Sequence, residues 1–454
     1  MKTLKTRSLL HLEVVLQNVM RVLKFGGTSV GSVENIKAVL DIVQNTPGKK
    51  IVVLSAMSGT TNTLQEIADY LLKYNLEAAQ EMFAKLLTKY LNVANELCGE
   101  NETVQNTIRS LFDEYKPILR SKLNVANEKR LMSLGEIVTT NMIAHYCHLN
   151  GIKMQLLSAL DFMRIDVNGE PNNHEISEKL ALNLATYPNH DTFITQGFIC
   201  RNAKGDIDNL DRGGSDYSAS IIGAMVDAED IQIWTDIDGM HNNDPRFVKN
   251  TFPVKQLSYD EAAELAYFGA KILHPSSVLP ARLKGIPVYL KNTMKPEAYG
   301  TLISSKTEPF TVKSIAAKKG ITAINIKSGR MLMAYGFVRS VFEVFERYKT
   351  PVDLITTSEV AISVTIDNEK NLENIVSDLR GLGVVKTTSN QSIISIVGDR
   401  IGENKGMAIN IFKALESVSI NMISFGGSQH NVSILVDEDD RIACLNALNN
   451  TLFQ

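Results

Sequence analysis

The sequence predicts an α/β protein in two parts: a parallel α/β body, then a repeated β-α-β-β-α unit. Three observations carry this. Short apolar strands ending in glycine or other small residues alternate with helices from Val22 to Leu290, the pattern of a parallel sheet. One order of elements recurs about 70 residues later in the C-terminal part. The chain has 454 residues, 44% hydrophobic and 21% charged, enough to bury several cores without a disulfide or metal staple.

The elements follow in order. Val22–Phe25 reads as a buried strand before the turn Gly26-Gly27, and Ser32–Val43 as a short helix. Ile51–Leu54 is a second strand, ending in Ser55, Ala56, Ser58 and Gly59. From Thr63 to about His148 the pattern is helical, with Leu64, Ile67 and Leu71 on one face. Strands return at Met154–Leu157, Thr192–Thr195, Ile231–Thr235 and Pro287–Leu290. Ser258 and Glu261 form the capping box of a helix that stops near Gly269. Ser304–Pro309 is a polar, proline-ended linker.

Beyond the linker, Ile321–Lys327 and Gln391–Val397 are equivalent strands, and Gly336 and Gly406 each open a helix. Val352–Ile355 matches Ile420–Ile423, and Ile362–Ile366 matches Val432–Val436. The first unit closes with a strand at Val384–Thr388, which the second lacks. A spare strand, Thr311–Ala317, precedes the first unit and is expected to complete the second unit's sheet, so that the units share strands.

Charge and cysteine usage narrow the function. Lys and Arg number 47 against 50 Asp and Glu, a net charge of −3, which argues against a nucleic-acid or anionic-membrane binder. Cys98, Cys147, Cys200 and Cys444 form no CxxC pair, so a reducing, cytoplasmic setting is expected and a zinc knuckle is not. No apolar run reaches the roughly 18 residues of a membrane span. Lys2, Lys5 and Arg7 precede Leu9–Val19 as in a weak signal peptide, but Glu13 and Gln17 interrupt it and no A-x-A site follows. Met20 stands directly before a strong strand, so residues 1–19 are expected to be a disordered or non-native leader.

Five motifs could carry chemistry. In Lys24-Phe25-Gly26-Gly27-Thr28-Ser29 a cation ends a buried strand and bare backbone follows, suited to an anion. The lysine precedes the glycines, so this is not a P-loop. Asp211-Arg212-Gly213-Gly214-Ser215-Asp216 places a guanidinium and two glycines before a helix, Tyr217–Val226, with Ser215 or Asp216 as its expected cap. Ser133-Leu134-Gly135-Glu136 sets a carboxylate in an apolar helix, either to bind an ammonium group or as an ordinary solvated residue. Trp234-Thr235-Asp236-Ile237-Asp238-Gly239, then Asn243-Asp244-Pro245-Arg246, ends a strand in a carboxylate-rich turn, where open α/β sheets place ligands. Its carboxylates lack the spacing of a calcium loop. In Phe268-Gly269-Ala270-Lys271-Ile272-Leu273-His274-Pro275, Lys271 either complements a helix end or reaches a nucleotide, and His274 reads as a turn residue.

Together and in this order, the five motifs resemble those of the aspartokinases, over about Met20 to Gln454. The resemblance implies a three-layer αβα amino-acid-kinase sandwich followed by two βαββαβ, ferredoxin-like ACT domains. The catalytic part would span 20–305, and the ACT domains 311–390 and 391–454. The implied reaction is ATP plus L-aspartate giving ADP and 4-phospho-L-aspartate with Mg²⁺, in the pathway to lysine, threonine and methionine.

By the same resemblance, Lys24 neutralises the transferring phosphoryl group and Asp216 organises the centre. Ser55, Thr61, Glu136, Arg212, Gly213, Gly214 and Ser215 would bind aspartate, Arg212 its α-carboxylate and Glu136 its α-amino group. ATP would lie on Lys24, Phe25, Gly26, Gly27, Thr235, Asp236, His241, Arg246, Lys271 and Ile272, with Mg²⁺ held mainly by its phosphates and no metal site from protein alone. His241 stands where relatives often carry tyrosine. No GxGxxG follows the repeat, so one activity is expected.

Met331, Phe337, Val338, Val352, Asp353, Thr357, Ser358 and Glu359 match effector positions of the lysine-sensitive branch, although Ala334 replaces a serine. Feedback by L-lysine at an interface between ACT units is therefore expected, in a homodimer or a tetramer. The rivals are a glutamate or N-acetylglutamate kinase and a catalytically silent amino-acid sensor.

Overall fold

A computed structural model describes residues 20–210, 213–269, 274–329 and 335–453. The expected leader, residues 1–19, lies outside them. The described residues form two units, 20–240 with 274–305 and 241–269 with 306–453.

In the first unit the strands lie in the order Gln155–Leu157, Thr192–Gln196, Lys49–Leu54, Met20–Phe25, Asp230–Thr235, Val288–Asn292 and Thr301–Ser304. Neighbours are parallel except for the last pair. Ile51–Leu54 is buried on both faces, as a central parallel strand requires. Leu23 and Phe25 enter a core with the helices Val33–Asn45, Thr60–Leu72, Leu76–Cys98, Glu102–Asp113 and Leu134–Leu149. The helical stretch read from 63 to 148 is thus several helices, each restarted by a cap such as Asn75 or Asn101. Helix Gly214–Met225 packs on the strands Met20–Phe25, Lys49–Leu54 and Asp230–Thr235.

The second unit holds a six-stranded antiparallel sheet in the order Ile355–Thr357, Ala361–Ile366, Val312–Lys327, Val384–Gly398, Asn431–Asp437, Ile420–Phe425. Two strands are longer than expected. Thr311–Ala317 and Ile321–Lys327 read as separate strands, as did Val384–Thr388 and Gln391–Val397. Each pair is instead one continuous strand, with Gly320 and Asn390 at positive φ (+72° and +56°) where the segments meet. The register shifts at Lys319/Ile321 absorb the polar junction as a bulge rather than a break.

Ser314–Ala317 pairs with Ile394–Val397 beside the second repeat, and Ala323–Lys327 with Val384–Thr388 beside the first. Each half then carries its own apolar core, one around Ile324, Val341, Val364 and Ile375, the other around Ile394, Ile411, Ile434 and Leu445. The strand expected at Val352–Ile355 begins only at Ile355; before it the Leu354 N–H turns to the Thr365 hydroxyl (2.9 Å), while the Asp353 N–H still reaches the Thr365 carbonyl (2.9 Å).

Residues 241–269 fall inside the span expected for the catalytic part, yet they group with the second unit. Buried amides hold them there. Asn242 Nδ2 donates to Asn449 Oδ1 (3.1 Å) and Asn243 Nδ2 to the Leu445 carbonyl (3.1 Å) on the last helix. Among the described residues no helix is long and apolar enough to cross a membrane.

Candidate active site

Strand alternation decides what reaches the site. Leu23 and Phe25 face the large helical core, so Lys24 points to the opposite face, where helix Gly214–Met225 lies. That helix starts earlier than expected. Neither Ser215 nor Asp216 caps it; the N-cap is Gly213, without a side-chain bond. Gly213 and Gly214 adopt φ of +68° and +50°, which residues bearing a Cβ rarely adopt, and the helix begins at once.

Asp216 becomes a first-turn residue, and its Oδ1 lies 2.6 Å from Lys24 Nζ. Their side chains are 11% and 16% exposed, so the pair is nearly dry. A cation at the C-terminal end of a parallel strand, opposite a helix N-terminus, is suited to a polyanion.

The glycine turn fastens a second loop to this strand end. Gly26 N–H donates to the Trp234 carbonyl (3.1 Å), and Ser58 N–H to the Gly27 carbonyl (3.0 Å). A Cβ on Gly27 would stand 2.7 Å from the Ala56 carbonyl oxygen, so the loops can approach only with glycine here. Ser55 is half-buried in the second loop, and Thr61 is exposed in the first turn of helix Thr60–Leu72.

Glu136 faces the same loop from the first turn of helix Leu134–Leu149. It is 4% exposed, not a solvated helix residue. Its Oε1 accepts the Ala56 N–H (3.2 Å), and Oε2 has no hydrogen-bond partner among the described residues. Burial pushes its carboxyl up to about 7, and the Ala56 N–H and the charge of Lys24 pull it back only in part. An orphaned acceptor in a dry site invites a donor, an ammonium above all.

Thr139, one turn further on, takes the Met57 N–H (3.2 Å), and Gln196 donates to Thr140 (2.7 Å). None of the five motifs includes this Thr-Thr pair. Its position one turn beyond Glu136 was the available signal.

Gly135 packs against the loop so closely that an added Cβ would lie 2.6 Å from Ala56 Cβ and 2.8 Å from Thr60 Cγ2. Gly135→Ala is therefore expected to destabilise the protein by about 1–3 kcal/mol through overpacking. Denaturant unfolding of the purified variant checks this, and an unchanged midpoint would mean the loop gives way freely.

Thr235 ends its strand at the same end of the sheet, with its hydroxyl donating to Asp236 Oδ1 (3.0 Å). His241 and Arg246 belong to the second unit. There His241 Nδ1 lies 3.1 Å from Thr251 Oγ1, and Arg246 grips Asp244 through two nitrogens (2.9 and 2.7 Å). Arg212, Lys271, Ile272 and Met331 lie outside the described residues.

Of the other effector candidates, Phe337 is buried at the start of helix Phe337–Arg347, Val338 is exposed beside it, and Val352 is half-buried. Thr357, Ser358 and Glu359 are exposed. The Asp353 side chain is only 2% exposed and already holds an ammonium: Lys318 Nζ lies 2.7 Å from Oδ1, and the Tyr267 hydroxyl donates to it at 2.9 Å. Among the described residues no group of three or more His, Cys, Asp or Glu side chains could hold a metal ion.

A model of the amino acid kinase family matches residues 20–292, and one of the ACT domain matches residues 394–452. Fold and site together define an amino acid kinase with an ACT extension. The chain is 34% identical to the chloroplastic aspartokinase 1 of Arabidopsis thaliana, over 97% of this chain and 82% of that protein. It is 32% identical to the lysine-sensitive aspartokinase 3 of Escherichia coli, over 95% of this chain and 98% of that one. The crystal structure of E. coli aspartokinase III with aspartate and ADP superposes with a TM-score of 0.84, at 31% identity over 96% of this chain and all of that chain. The chain belongs to the aspartokinases.

Proposed function

We propose that this chain transfers the γ-phosphoryl group of ATP to the side-chain carboxylate of L-aspartate, giving ADP and 4-phospho-L-aspartate. The observation that carries this reading is the dry Lys24–Asp216 pair at the strand end, beside a buried Glu136 with one free oxygen.

A carboxylate is already a nucleophile at neutral pH, so the site needs no general base. It must align two anions in line and neutralise charge at the migrating group. Lys24 supplies that charge from a fixed position, and the N–H groups of Gly27, Gly213 and Gly214 add to it. Asp216 keeps the Lys24 ammonium aimed. Glu136 takes the substrate's α-ammonium group, Arg212 its α-carboxylate, and Ser55, Thr61 and Ser215 line that end. Thr235, Asp236, His241, Arg246, Lys271 and Ile272 serve the nucleotide, and Mg²⁺ enters with it as part of the substrate. The work is done in the cytoplasm, where the four free cysteines stay reduced.

Feedback by L-lysine acts through the ACT part of a homodimer. Asp353 Oδ2, buried and without a hydrogen bond among the described residues, is the acceptor for the effector's ammonium. Aspartate-dependent ADP release by the purified protein is expected, and millimolar lysine should suppress it several-fold while threonine does not. Release with glutamate or N-acetylglutamate instead would favour another kinase of this family. No release with any of them would leave a silent sensor, and inhibition by threonine alone would overturn the choice of effector.

A further inference from the structure

The two walls of the aspartate end come from segments far apart in sequence, the loop 55–60 and the start of helix Leu134–Leu149. Both converge on one hydroxyl from a third element. Tyr90 projects from helix Leu76–Cys98 and is fully buried, its ring packed on Phe112 at 6.0 Å. Its hydroxyl lies 3.1 Å from Thr60 Oγ1 on the loop side and 3.0 Å from Thr139 Oγ1 on the helix side. It also lies 3.3 Å from the Gly135 carbonyl.

The donor inventory gives this cluster a direction. The Thr139 hydroxyl lies 2.8 Å from the Gly135 carbonyl, which can only accept, so Thr139 spends its proton there. Tyr90 turns its one proton toward Thr139 and the Gly135 carbonyl, and Thr60 donates to Tyr90. Thr139 also accepts the Met57 N–H, which closes a circuit through the loop. Burial holds the Tyr90 hydroxyl up at about 12, so it keeps its proton at any working pH.

We infer that Tyr90 is a positioning residue for the aspartate end, fixing the loop that carries Ser55 and Ala56 against the helix turn that carries Glu136. The inference rests on the reading that Glu136 receives the substrate's ammonium group. Tyr90 touches neither substrate nor nucleotide. It acts by holding Ala56 N–H on Glu136 Oε1, which leaves Oε2 in the one orientation that meets the ligand. The orienting chain is buried throughout, with Thr60 and Thr139 as inaccessible as Tyr90 itself, so water cannot replace a lost member.

The test is steady-state kinetics of Tyr90→Phe, Thr139→Val, the double variant and Thr139→Ser, with circular dichroism to confirm folding. Tyr90→Phe and Thr139→Val should each raise the KM for aspartate about tenfold, with the KM for ATP within about twofold of native. The double variant should be no worse than the singles, because both break one chain. Thr139→Ser restores the hydroxyl and should return the KM to near native, which also covers the case in which Tyr90→Phe fails to fold. A native aspartate KM in Tyr90→Phe, with only a lower melting temperature, would overturn the inference, as would additive singles. Glu136→Gln separates the two levels. If it raises the aspartate KM and Tyr90→Phe does not, only the role of Tyr90 fails; if it does not, the reading of the site fails as well.

Discussion

Lys24→Ala is expected to lower kcat by about 10³-fold or more, equivalent to about 4 kcal/mol of transition-state stabilisation. The ammonium reaches the site from a strand whose neighbours Val22, Leu23 and Phe25 are fully buried, so the strand should keep its place without it. Charge on the migrating phosphoryl group has no other described cation so placed, and in a nearly dry site water compensates poorly.

A purely structural ion pair makes a different prediction. Breaking a buried pair costs about 3–5 kcal/mol of folding stability and leaves turnover of the folded fraction intact. Coupled ADP release and thermal unfolding on one preparation distinguish the two. Near-native turnover would remove Lys24 from the mechanism. Lys24→Arg keeps the charge but spreads it over a planar fork, and should recover only part of the rate.

Glu136→Gln should raise the KM for aspartate by about 30- to 150-fold, the value of one lost charge-assisted bond of about 2–3 kcal/mol. Its pH dependence is the sharper signature. The carboxyl is raised by burial to about 7, so the free enzyme below that pH carries it protonated. An ammonium ligand needs the ionised form, and binding must then expel a proton. The native KM should therefore climb as pH falls below about 7, and the glutamine variant should lose that slope.

The sign for folding is the reverse. A raised carboxyl pKa favours the folded state while the group is protonated, and this contribution fades as pH rises from the ordinary 4.5 through about 7. Glutamine, which never ionises, should thus gain stability relative to the native protein at pH 8 and not at pH 4. Parallel KM profiles for the two proteins would exclude Glu136 from the ammonium site.

How much of this was legible in the sequence depended on where each partner lies. Lys24 was legible because a cation before two glycines at a strand end depends only on local order. Asp216 was legible as a residue but not as a partner, because helix starts follow backbone dihedrals and the left-handed Gly213-Gly214 pair moved this one. The dryness of Glu136 comes from segments tens of residues away, and the hydroxyl of Tyr90 looked like that of any core aromatic on an amphipathic helix. The Asp244–Arg246 turn was visible locally. Its attachment was not, since that rests on Asn449, about 200 residues away.

The fused strands Val312–Lys327 and Val384–Gly398 carry a consequence for the C-terminal region. Because each strand runs through both halves, the second half cannot be excised with its own sheet whole: a cut at Asn390 would strip from it the Ser314–Ala317 rib that pairs with Ile394–Val397. Tilting one half must flex the other through the same peptide backbone. Duplicate regulatory modules so joined behave mechanically as one plank.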